Sequence, residues 1–247
     1  NFSRAIHCVV CNKNNLSKVS YILSVGDNKK WLDRYLGMVM ENFSHFHSKD
    51  LISIIYALGK LNTSLSKERG TCVVFPRSWQ DKFFYRSVEC LKSLGSYDLM
   101  NMIHTFVNLG AVPPLYWQDE FFAVSLNQIK FLNPEGLVNI IYASGKLGVV
   151  PPLYWQGQFF RESWSQIKFF NPKNLSTTIY ALGRLGIIPP RHWQDEFFSV
   201  SSSQIKFFNS QDLSNTIYAL GRLGIIPPRY WQDEFFSVSS SQIKFFN

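Results

Sequence analysis

The chain has 247 residues, 46% of them apolar and 16% aromatic, with 22 Phe and 7 Trp, a composition that excludes disorder and suffices for a buried core. The net charge of +8 favours an acidic partner, yet residues 1–100 hold 14 Lys and Arg against 8 Asp and Glu, whereas residues 101–247 hold 11 against 9. No apolar run approaches the roughly 18 residues a membrane span needs.

The opening "NFSRAIHCVVCNKNN" contains no apolar stretch of signal-peptide type and no initiator Met, and the last repeat stops half-way. Both features read as a piece of a longer protein. Residues 1–13 form an N-terminal segment in which Cys8-x-x-Cys11 lies beside His7. A structural zinc site needs four ligands, and neither a second such pair nor paired histidines follow. Together with Cys72 and Cys90, these are read as reduced thiols. They place the chain in a reducing compartment: a bacterial or host cytoplasm, or an organelle matrix.

Residues 14–61 carry degenerate repeats, marked by Tyr21, Trp31 and Tyr56. The polar stretch at 62–76, with Gly70, reads as an enlarged loop between helices, because Tyr56 precedes its counterpart His104 by 48 residues instead of 38. From residue 77 onward the period is regular. Trp79, Trp117, Trp155, Trp193 and Trp231 are each 38 apart, and so are Phe-Phe pairs from Phe83-Phe84 to Phe235-Phe236. Stretches 179–209 and 217–247 differ only at His192 against Tyr230, a tandem duplication. Such a period marks a solenoid.

Each unit reads as two helices. The first opens at Pro-Pro, as in "PPRYWQDEFF", with proline in the first turn, acidic Asp233 and Glu234 near the positive end of the dipole, and Lys244 near the other end. Its Trp and Phe-Phe residues follow a helical stripe and belong to the core. The second helix starts at Asn133-Pro134 or Asn171-Pro172, an N-cap with proline at N1. It ends at Gly148, Gly186 or Gly224. Interior Gly183 and Gly221 cost a helix about 1 kcal/mol each and point to close helix–helix approach. The fold class is all-α: an α-solenoid superhelix of 38-residue helix–turn–helix repeats, with an unpaired last helix whose apolar face asks for a continuation or cap.

The combination of "PP-x-x-W" with "IYALGKL" (Ile55–Leu61) and "IYALGRLG" (Ile179–Gly186) resembles the octotricopeptide repeat, over roughly residues 45–247 and more loosely 14–44. Similar repeats occur in uncharacterised proteins of intracellular bacteria and in organellar RNA-handling proteins, some with a C-terminal nuclease-like domain that this chain lacks. The chain departs in having Tyr where the family often has Trp, and "PPRYW" or "PPLYW" for "PPPEW". The resemblance implies an RNA-binding solenoid, related in logic to pentatricopeptide repeats and suited to post-transcriptional regulation.

A solenoid binds through a few varying positions per unit on its concave surface. On the second helix, counted from its first Leu, position three holds Ser53, Asn101, Asn139, Thr177 and Asn215. Position six holds Tyr56, His104, Tyr142, Tyr180 and Tyr218, and position ten holds Lys60, Asn108, Lys146, Arg184 and Arg222. Offsets of three and four put them on one helix face. A ring can stack on a base, a small polar group can bond a base edge, and a cation can neutralise a phosphate, about one base per repeat of single-stranded RNA. The bland readings stay open: the rings fit inter-repeat packing, and the cations fit the helix C-terminus.

The near-neutral charge of the regular repeats also leaves open a protein-interaction scaffold or secreted effector with a protein partner in the groove. His7, His45, His47, His104 and His192 have no recurring catalytic company, "HFH" at 45–47 reads as a solvated helix start, and no phosphate-cradling loop is present. The expectation is therefore no enzyme, no cofactor, no metal, no small-molecule substrate and no membrane.

Overall fold

A computed structural model describes residues 28–42, 45–69 and 75–243. His7, Cys8, Cys11, Tyr21 and Cys72 lie outside these residues. Among the described residues there are eleven α-helices and no strand. They are α1 (Asn28–Glu41), α2 (Ser48–Arg69), α3 (Arg77–Cys90), α4 (Ser96–Leu109), α5 (Leu115–Leu126), α6 (Pro134–Leu147), α7 (Leu153–Gln166), α8 (Pro172–Leu185), α9 (Arg191–Gln204), α10 (Ser210–Leu223) and α11 (Arg229–Ile243). None is long and apolar enough to cross a membrane.

The expected loop at 62–76 is mostly helix. Residues 62–69 continue α2 without a break. The reason is local: "NTSLSKER" contains neither Gly nor Pro and ends in good helix formers, so the helix runs on to Arg69. At 22 residues against 14 in the other second helices, α2 is longer by about two turns.

Elsewhere the punctuation is as the residues dictate. Asn133, Asn171 and Asn209 each accept the backbone N–H three residues on, at 2.8–2.9 Å. Asp212 returns the bond to the Asn209 N–H, closing a capping box. Gly110, Gly148, Gly186 and Gly224 end α4, α6, α8 and α10 at φ of 63–70°, a conformation open to glycine. The first helix of a repeat starts one residue later than expected, because the proline before it (the lone Pro76, and the second of each pair at Pro152 and Pro190) serves as the N-cap. Its tail tightens into a 3₁₀ turn at Leu91–Ser93, Ile129–Phe131, Ile167–Phe169 and Ile205–Phe207.

The chain divides into two compact units, residues 1–124 and 125–247. In the first, α2 packs on α4; in the second, α6 packs on α8 and α8 on α10, so second helices lie directly against second helices. This array of helix pairs is an α-solenoid arrangement within each unit.

The core repeats with the sequence. Each repeat Trp is buried and stacks on the Phe four residues later, with ring centroids 5.1–5.6 Å apart. In the first unit the Trp117 indole N–H donates to Ser87 Oγ, 3.0 Å away. In the second, Trp155, Trp193 and Trp231 donate to Ser125, Ser163 and Ser201 at 2.8–2.9 Å. Each bond satisfies a buried polar atom and ties one repeat to the one before it.

Candidate functional site

The expected stripe lies on the second helices, and in α2, α6 and α8 an interior glycine lets the neighbouring second helix approach closely. A Cβ on Gly183 would come within 2.9 Å of Ala219 Cα, and one on Gly145 within 3.2 Å of Ala181 Cα. In the first unit a Cβ on Gly59 would meet the Thr105 methyl at 2.6 Å. Close approach is therefore what the interior glycine provides at 59, 145 and 183.

That approach also uses position ten. The Arg184 Nε–H donates to the Gly145 carbonyl at 3.0 Å, and the Arg222 Nε–H to the Gly183 carbonyl at 3.0 Å. The arginines thus clamp neighbouring repeats with one donor, while the rest of each guanidinium remains on an exposed residue. Each clamp uses one of the five guanidinium N–H donors.

Position six is half-buried at Tyr56, His104, Tyr142 and Tyr180 and exposed at Tyr218. The cation at position ten sits over the ring one turn before it: Lys60 on Tyr56 at 5.3 Å, Lys146 on Tyr142 at 5.6 Å, and Arg222 on Tyr218 at 5.9 Å. Between repeats, the Tyr180 and Tyr218 rings are 5.9 Å apart. In the second unit, rings and cations therefore alternate along one face of α6, α8 and α10.

Position three is half-buried at Ser53, Asn101, Asn139, Thr177 and Asn215. Ser53 Oγ donates to the Lys49 carbonyl at 2.8 Å, and Asn215 Oδ1 accepts from Gln211 at 2.9 Å. In the first unit, Asn108 Nδ2 and His104 Nδ1 are 3.5 Å apart, and Asn62 Nδ2 donates to the Asn108 carbonyl at 2.7 Å. Burial lowers the His104 pKa below its ordinary value, and the Lys60 ammonium lowers it further. This unit presents a neutral, partly covered imidazole where the others present a phenol.

His45 and His47 are exposed at the start of α2. Among the described residues no group of three His, Cys, Asp or Glu is placed to hold a metal. The Ile-Lys-Phe turns carry no signal of their own in the sequence, because Phe169-Phe170 and Phe207-Phe208 are apolar pairs like those of the core helices. Only the second ring of each pair is core: Phe170 and Phe208 are buried, whereas Phe169 and Phe207 are exposed.

No protein-family model matches the chain, and no curated protein matches it significantly.

Proposed function

We propose that this chain is a helical-repeat protein of octotricopeptide type that binds single-stranded RNA along the stripe of its second helices, in the service of post-transcriptional regulation. The observation that carries this reading is the ring-and-cation pair that recurs two periods apart in the second unit, Tyr142–Lys146 and Tyr218–Arg222, and is present also in the first unit at Tyr56–Lys60, each with a small polar residue one turn before it. The ring offers a base a stacking surface, the cation offers a phosphate its counter-charge, and position three offers a base edge a hydrogen bond. His104 and Asn108 give their repeat a neutral pair instead, and so a different selectivity.

A second reading, a protein-binding scaffold, is favoured by the small charge surplus of residues 101–247 and by an exposed apolar residue in each linker, Val112, Val150, Ile188 and Ile226. Selection from a pool of short single-stranded RNAs at two salt concentrations separates the two. The RNA reading expects an enriched motif of about one base per repeat, with binding that strengthens steeply as salt is lowered. It also expects the Tyr142→Ala/Tyr180→Ala variant to weaken binding by about 1–3 kcal/mol per lost stack. Weak, sequence-blind retention that is indifferent to both tyrosines would sink it.

A further inference from the structure

A second periodic feature lies at the turn between the two helices of each repeat. In the second unit this turn is Ile-Lys-Phe three times, at Ile129–Phe131, Ile167–Phe169 and Ile205–Phe207. The isoleucine is buried in every copy, as is the residue after the turn. The phenylalanine is not: Phe131, Phe169 and Phe207 are 71%, 77% and 67% exposed. The fold does not demand a ring there. The equivalent turn of the first unit, Leu91–Ser93, keeps a buried leucine and an exposed lysine and puts Ser93 in the slot. A large apolar side chain held in water three times, where serine serves the fold, marks a contact surface.

The neighbouring lysine gives the partner its sign. Lys130 Nζ lies over the Phe131 ring at 5.0 Å and Lys206 Nζ over Phe207 at 5.1 Å. Among the described residues neither enters an ion pair, and Lys168 reaches Glu196 only at 3.8 Å with its own side chain largely exposed. Cation and ring together fit an anionic partner with flat apolar faces. A lipid bilayer fits poorly, since the exposed amides of Asn133, Asn171 and Asn209, two residues beyond each ring, would be stripped of water. Single-stranded nucleic acid tolerates such neighbours and can bond to them.

We infer that Lys130–Phe131, Lys168–Phe169 and Lys206–Phe207 form a second track for single-stranded RNA, with each lysine on a phosphate and each ring on a base. The track rests on the RNA reading above and deepens it: the stripe of the second helices reads bases, and the track at their N-terminal ends holds the backbone.

The test is a salt titration of the 1–247 chain with a fluorescent 20-nucleotide single-stranded RNA of mixed sequence. It compares the unmodified chain with a Lys130→Gln/Lys168→Gln/Lys206→Gln variant and a Phe131→Ser/Phe169→Ser/Phe207→Ser variant. Serine already occupies this slot at Ser93, so the second variant folds, which circular dichroism checks. Losing three phosphate contacts on a single strand flattens the slope of log K against log salt by about 2, at about 0.7 per contact. The serine variant is expected to bind at least about tenfold more weakly with its slope nearly unchanged. Unchanged slope and affinity in both variants would overturn the track and leave the stripe standing. No binding by the unmodified chain at low salt would overturn both. Retention on anionic vesicles, lost in these variants while RNA binding persists, would replace RNA by lipid as the partner of this surface.

Discussion

The Trp–Ser bond shows how a single hydroxyl can hold a repeat array together. Ser163 is fully buried and receives the indole N–H of Trp193 at 2.9 Å. Ser163→Ala leaves that donor without a partner in an apolar core, at a cost of about 1–3 kcal/mol. Ser165→Ala, two residues away on the exposed surface, is expected to change stability by no more than about 0.5 kcal/mol. Urea unfolding midpoints of the two variants check this, and equal losses would mean that the helix, not the bond, was being weakened. His104 sets a second expectation at this scale. Its folded-state pKa is held below 6.5, by burial first and by Lys60 second, so the unfolded chain takes up its proton more readily. Its contribution to stability is full above pH 6.5 and is lost as the pH falls towards the folded-state value. A urea midpoint that drops between pH 7.5 and 5.5, with a smaller drop in His104→Gln, is the expected result. Equal drops would assign the acid sensitivity to other groups.

Among the helices, identical residues meet opposite fates according to what packs on them. Gly183 and Gly221 occupy the same slot of the same "ALGRLG" sequence, but an added Cβ meets Ala219 at 2.9 Å in one case and nothing within 4 Å in the other. Gly221→Ala is therefore expected to stabilise α10 by up to about 1 kcal/mol through helix propensity alone. Gly183→Ala drives α8 and α10 apart and is expected to lose about 1–3 kcal/mol. Thermal melts of the two variants in opposite directions would establish the close approach; stabilisation by both would refute it. This contrast also explains how much could be read beforehand. Caps, terminal glycines, the helix pair and its core Trp and Phe residues are local signals that repeat, so the sequence states them several times over. The extension of α2 through residues 62–69 was masked because polar composition alone does not separate an exposed helix from a loop. The 3₁₀ turns left no mark in the sequence, because nothing in Phe169-Phe170 or Phe207-Phe208 says that the tighter turn sends the first ring to solvent and the second to the core. For the candidate site, the shared helix face was legible from spacing, whereas the Arg184 and Arg222 clamps onto glycine carbonyls were not. Those bonds depend on how closely two helices pack, which no single-repeat pattern encodes.

Across the molecule, stability in a repeat array is a sum of what each repeat contributes and what each interface adds. This chain allows the two to be separated, since α9 and α11 carry nearly the same sequence, with His192 in one and Tyr230 in the other. Phe198 is 3% exposed in α9, packed edge-on against the Trp231 ring with centroids 5.7 Å apart, while its counterpart Phe236 in α11 is 62% exposed. If interfaces supply most of the stability, α11 opens far more readily than α9 despite their shared propensity and composition. Hydrogen exchange followed by mass spectrometry measures this directly, because opening free energies fall from the global value to near zero where buried apolar contacts thin out. The expected result is protection in α9 at least about tenfold above that in α11, with α10 intermediate because its Ile217 face is exposed while its Ala219 face is packed. Equal protection would mean that a single repeat is stable by its own caps and Trp–Phe stack. The neighbour contacts seen at Gly183, Arg222 and Trp231 would then position repeats without holding them folded.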